Sequence, residues 1–229
     1  MLLKLKIAIV TLASTCIVHG QNMRLSIDPS IYVSAQGKPY IDVYTTLDAS
    51  TVGYELDTDS NWVTSFKVVL QTGGKLDAFT FNYAQTDSAS GAPLLLQKST
   101  FVYENWTKES VKIVITDDVT GELIEVEDTI RLNGEAPFYL SNPIALDTLQ
   151  TGNSVYQKSG STVIPKPSLG VPVFENVPIE WYSEVFIREG KYVLRYELQN
   201  ASGTAVAGTQ GFKRLQNGVN PIRISYAMD

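Results

Sequence analysis

The 229 residues include one histidine and one cysteine, His19 and Cys16, and both fall among the first twenty positions. If that segment is removed in maturation, the chemistry of imidazole bases, thiolate nucleophiles, disulfides and zinc or haem sites built on His or Cys leaves with it. What remains is carboxylates, hydroxyls, lysines and aromatic rings, and three groupings of them stand out. Asp57-Thr58-Asp59-Ser60-Asn61 sets oxygen-bearing side chains at alternate positions as a calcium loop does, which makes Asp57, Asp59 and Asn61 the candidate metal ligands. Position six of such a loop is here Trp62 instead of glycine, and position twelve is Val68 instead of glutamate, a pattern that suits a polar turn ahead of a strand. The acids Glu122, Glu125, Glu127 and Asp128 could serve a carboxylate-based hydrolase only if two of them faced each other across a cleft; a solvated strand face is the simpler reading. The third grouping is the aromatic surplus, with 12 Tyr and 3 Trp. Rings in alternating strands mostly fill a core, which leaves the loop residues Trp106 and Tyr156 as the candidate contacts for a ligand or partner.

The elements that must position these residues follow a segment of a different kind. Lys4 and Lys6 precede an apolar run from Ile7 to Val18, and Val18-His19-Gly20 leads into Gln21, the tripartite pattern of a secretory signal over residues 1–20. The run is about half the length of a membrane-spanning helix. Leu12-Ala13-Ser14-Thr15-Cys16 also has the outline of a lipobox, which would make Cys16 a lipid-anchored N-terminus, although Thr15 is bulky for its place. Loss of residues 1–20 removes two lysines and no acid, so the formal charge of −6 becomes more negative by two. Scattered basic residues in an acidic chain argue against nucleic acid as a partner. No later apolar run reaches bilayer length. Without cysteines the exported portion must be held by core burial, for which it is long enough, and a bacterial envelope is the compartment this suits best.

Along that portion the dominant period is two. Trp62, Thr64, Phe66, Val68 and Leu70 share one face, Val111, Ile113 and Ile115 another, and Tyr192, Leu194, Tyr196 and Leu198 a third, each alternating with more polar neighbours. Turn residues punctuate the runs at Gln36-Gly37-Lys38-Pro39, Gly73-Gly74, Asp117-Asp118-Val119-Thr120-Gly121 and Asn200-Ala201-Ser202-Gly203. The last two predict hairpins. Asn133-Gly134-Glu135-Ala136-Pro137 interrupts the pattern, so the expected architecture is all-β, with two antiparallel, immunoglobulin-like β-sandwiches in tandem over residues 21–133 and 134–229.

Tyr32-Val33-Ser34-Ala35-Gln36-Gly37-Lys38-Pro39-Tyr40-Ile41-Asp42-Val43-Tyr44, with Phe66-Lys67-Val68-Val69-Leu70, Tyr139-Leu140-Ser141, Val163-Ile164-Pro165 and Gly190-Lys191-Tyr192-Val193-Leu194, resembles the N-terminal region of bacteroidete GWxTD-domain proteins. The resemblance spans nearly all of residues 21–229 and implies a secreted envelope protein with β-sandwich segments. The Gly-Trp-x-Thr-Asp motif that names the family is absent, since no glycine precedes Trp62, Trp106 or Trp181. The resemblance implies no catalytic residue. The expectation is a non-enzymatic, cofactor-free envelope protein that contacts another envelope protein or a second copy of itself. A carbohydrate-binding module using exposed rings is the first alternative, and a carboxylate-based hydrolase the second.

Overall fold

The computed structural model describes residues 16–19, 23–72, 75–85, 94–102, 108–131, 137–150, 156–159, 161–165, 179–197, 199, 202–205 and 210–226. The strands of the first part are β1 (Cys16–His19), β2 (Arg24–Val33), β3 (Pro39–Asp48), β4 (Glu55–Leu56), β5 (Trp62–Thr72), β6 (Lys75–Gln85), β7 (Leu94–Val102), β8 (Lys108–Asp117) and β9 (Leu123–Arg131). Those of the second are β10 (Phe138–Leu140), β11 (Ile144–Gln150), β12 (Gln157–Lys158), β13 (Ser161–Pro165), β14 (Ile179–Ile187), β15 (Tyr192–Tyr196), β16 (Gly211–Leu215) and β17 (Gly218–Tyr226). All strand pairs are antiparallel, and the only helical element among the described residues is a 3₁₀ turn at Ala49–Thr51. The protein is all-β.

Strands β1-β2-β3-β7 form a central sheet, and β4-β5-β8-β9, with β6 on the other side of β5, form an outer sheet. The alternation read from the sequence explains why they meet. Leu25, Ile27, Ile41, Val43 and Leu47 of the central sheet close one apolar core with Phe66, Val68, Leu70, Ile113, Ile115 and Ile124 of the outer sheet. Lys67 and Gln71, on the other face of β5, are exposed. The predicted turn between β8 and β9 forms as expected, with Gly121 at φ +74° donating its N–H to the Asp117 carbonyl. Asp117 is itself buried, and backbone N–H groups of Gly53, Val119 and Thr120 satisfy its carboxylate at 2.8–3.1 Å.

In the second part, β10 and β11 lie in tandem along one edge of β14, β17 pairs with the other edge, and β13 and β12 extend the sheet beyond β11. Strand β10 does not run on into β11, because the chain breaks at Ser141–Pro143. Ser141 is stapled to β14, with its N–H donating to the Glu184 carbonyl and its hydroxyl accepting from the Glu184 N–H at 2.8 Å, and Pro143 has no N–H to continue a ladder. The hairpin β15-β16 covers the odd-numbered face of β14, where Val185 and Ile187 meet Leu194, Leu215 and Ile222. Gly211 stands opposite Tyr196, where any Cβ would collide with the tyrosine ring. Leu194 is 3% exposed, so Leu194→Ala is expected to cost about 2–5 kcal/mol in urea unfolding; a loss near zero would mean that this face of β15 does not form the core.

The even-numbered face of the central sheet is covered as well. Tyr32 and Tyr44 cluster with Ile144, Leu146, Val163 and Tyr182 of the second sheet. Around Tyr32, Asp42 and Tyr44 the central sheet is therefore buried on both faces, and a polar group there has to find its partners inside the protein.

Candidate functional site

The densest gathering of reactive side chains lies in that second interface. Alternation along β3 aims Tyr40, Asp42 and Tyr44 away from the first core and side by side on the opposite face. Register supplies their neighbours: Tyr32 of β2 stands across from Tyr40, and Thr100 and Lys98 of β7 stand across from Asp42 and Tyr44. The facing sheet contributes Tyr182 and Glu184 from one face of β14, and Lys158 from the short strand β12. A left-handed residue, Ser159 at φ 45°, follows Lys158.

Asp42, fully buried, is the hub. Its Oδ2 lies 2.5 Å from Lys158 Nζ and 3.2 Å from Lys98 Nζ, while Oδ1 accepts from the Thr100 hydroxyl at 2.6 Å. The Lys158 side chain is 3% exposed. Its ammonium donates to the Tyr40 hydroxyl at 3.0 Å and sits 3.5 Å above the Tyr32 ring and 4.7 Å from that of Tyr40, two rings that stack on each other. Glu184 Oε1 accepts from the Tyr182 hydroxyl at 2.5 Å and from the Ser159 hydroxyl at 2.9 Å. Two cations and two carboxylates thus balance within one buried site.

Burial governs the proton affinities here. It holds the Lys158 ammonium below the ordinary lysine range, against the opposing pull of Asp42. It pushes the Tyr32, Tyr40, Tyr44 and Tyr182 hydroxyls well above the ordinary tyrosine range, and nearby Asp42 or Glu184 adds to the effect.

The residues singled out by the sequence lie elsewhere or at the margin. Asp57, Asp59 and Asn61 build a closed turn: Asp57 Oδ1 accepts from the Asp59 and Asn61 N–H groups, and its Oδ2 from the Asn61 side-chain amide. These bonds, led by that from the Asn61 backbone, hold the Asp57 carboxyl below its usual range. Among the described residues no cluster of three His, Cys, Asp or Glu side chains could hold a metal ion. Tyr156 is half-buried against the tyrosine cluster instead of standing free in a loop, and burial pushes its hydroxyl up to about 12. Trp106 lies outside the described residues, as do the interruption at 133–136 and most of residues 1–22. Of the acids after the β8–β9 turn, Glu125 pairs with Lys112 at 2.5 Å and Glu127 accepts from Ser110 at 2.6 Å, both across the strand ladder.

The site missed by the sequence reading had one signal in it: Tyr40, Asp42 and Tyr44 put two rings around an acid on what alternation assigns to the water side of β3. No family model, no curated protein and no solved structure matches the chain.

Proposed function

We propose that this chain is an exported cell-envelope protein, built from two immunoglobulin-like sandwiches stacked through the central sheet, that acts as a structural or protein-interaction module and not as a catalyst. Its charged residues of greatest density are walled inside, where they hold the two parts together and meet no substrate. The observation that carries the reading is β6, an 11-residue strand that pairs with β5 on one edge and leaves Leu76 64% and Phe79 38% exposed. A long edge strand with apolar side chains is a template for strand addition by another chain.

The export half of the proposal bears on β1. Cys16–His19 pair with Arg24–Ile27 along the outer edge of β2, so removal of residues 1–20 would uncover a second edge. Mass spectrometry of protein from the native host is expected to find an N-terminus at or near Gln21; an intact Met1 would refute export, and a lipidated Cys16 would replace release by anchoring. Crosslinking in envelope preparations is expected to recover one specific protein partner or a second copy, and Leu76→Lys, which places a charge on the edge, should abolish that capture. Glycan binding lost on changing Trp106, or polymer turnover lost with a single Asp or Glu, would overturn the reading.

A further inference from the structure

We propose that Lys158 and Asp42 condense into an amide, a covalent bond between β12 and β3 that ties the two stacked parts of the protein together. The contact is the closest ion pair of the cluster: Lys158 Nζ and Asp42 Oδ2 are 2.5 Å apart, and their side chains are 3% and 0% exposed. Because Oδ2 is bonded to Cγ, that contact sets the nitrogen next to the carbon it must attack, and reacting atoms so held are about 3–3.5 Å apart. Aromatic rings cap the nitrogen from one side, and Ile144, Leu146 and Val163 line the same interface, so bulk water that would favour the separated ions and reverse the reaction is kept out.

The step balances within the cluster. The Lys158 ammonium passes a proton to the Asp42 carboxylate, giving amine and acid with no net change of charge. The amine attacks Cγ, the second proton passes from nitrogen to Oδ2, which already carries the first, and the Cγ–Oδ2 bond breaks to release one water. Condensation removes one positive and one negative charge from a site where each is costly, and leaves Lys98 and Glu184 as the remaining opposite pair. Each neighbour has a part. The Thr100 hydroxyl, 2.6 Å from Oδ1, stabilises the oxyanion of the tetrahedral intermediate, and the Lys98 ammonium, 3.2 Å from Oδ2, donates to the oxygen that departs. Glu184, held by Tyr182 and Ser159, is the second carboxylate of the site and offsets the charge of Lys98 once the pair has condensed. Burial, which already disfavours the ammonium, raises the share of attacking amine. Lys158 is the partner rather than Lys98 because it is both nearer to Asp42 and more deeply enclosed.

The intact mass of the purified, denatured full chain decides the matter, whatever the outer strands bind. The expected mass is lower than that of the sequence by one water, and proteolysis should release a branched peptide joining the Asp42 and Lys158 segments. Asp42→Asn should reach the same final mass as the wild type, because the amide then forms with loss of ammonia. Lys158→Met should carry its full sequence mass. A wild-type chain at its full sequence mass, with the two segments in separate peptides, would overturn the proposal even if every variant failed to fold.

Discussion

The protein is expected to unfold cooperatively in alkali, in a window that opens near the ordinary tyrosine pKa of 10. Tyr32, Tyr44 and Tyr182 are 0% exposed, and burial pushes all three hydroxyls well upward. A group whose pKa is higher folded than unfolded stabilises the fold fully below its unfolded pKa, and that stability is lost as pH climbs toward the folded value. Each such tyrosine gives up about 1.4 kcal/mol per pH unit, because the unfolded chain releases a proton that the folded one keeps. Three together remove about 8 kcal/mol by about pH 12, much of the roughly 5–15 kcal/mol that a domain has. An uncondensed Lys158 works in the opposite sense, since its pKa is depressed on folding and its penalty fades as pH rises, but it is one group against three. Tyrosinate absorbance and far-ultraviolet circular dichroism followed on one sample should therefore change together. Gradual ionisation of all tyrosines with the sheet signal intact would mean that these hydroxyls are open to water.

The first core was legible because its information is local. Thr64, Phe66, Val68 and Leu70 fall on one side of β5 by alternation alone, and the structure buries all four. The hairpin turn at Asp117–Gly121 was equally legible, since glycine with positive φ and an aspartate that caps neighbouring N–H groups are short-range devices. The buried charge cluster was not, because period two names two faces of a strand without saying what covers the second. Asp42 reads as a solvated residue between Ile41 and Val43 until Tyr182 and Glu184, far along the chain, are laid over it. Lys158 lies in a two-residue strand with no periodicity to read. Tyr156 shows the same gap: a position between strands looked exposed, and the fold turned it half inward.

The largest mutational effect in this interface is expected from Asp42→Ala, at about 3–5 kcal/mol. The substitution leaves Lys158 and Lys98, with side chains 3% and 10% exposed, facing each other without the carboxylate that both contact, so two cations must either lose protons or draw in water. Lys158→Met should cost less, about 1–3 kcal/mol, because Asp42 keeps Lys98 and the Thr100 hydroxyl, and the thioether can lie on the Tyr32 ring in place of the ammonium. The ordering holds with or without the amide, since both variants lose that bond equally and only Asp42→Ala strands the charges. Raising the pH toward the ordinary lysine value of 10.5 should narrow the gap, because Lys158, held below that value by burial, deprotonates and relieves the Asp42→Ala variant, while Lys158→Met lacks the group. Denaturant midpoints with unchanged slopes measure all three effects. Equal losses in the two variants at neutral pH would mean that Asp42 does not hold both lysines, and that the two parts of the protein meet through their apolar surfaces alone.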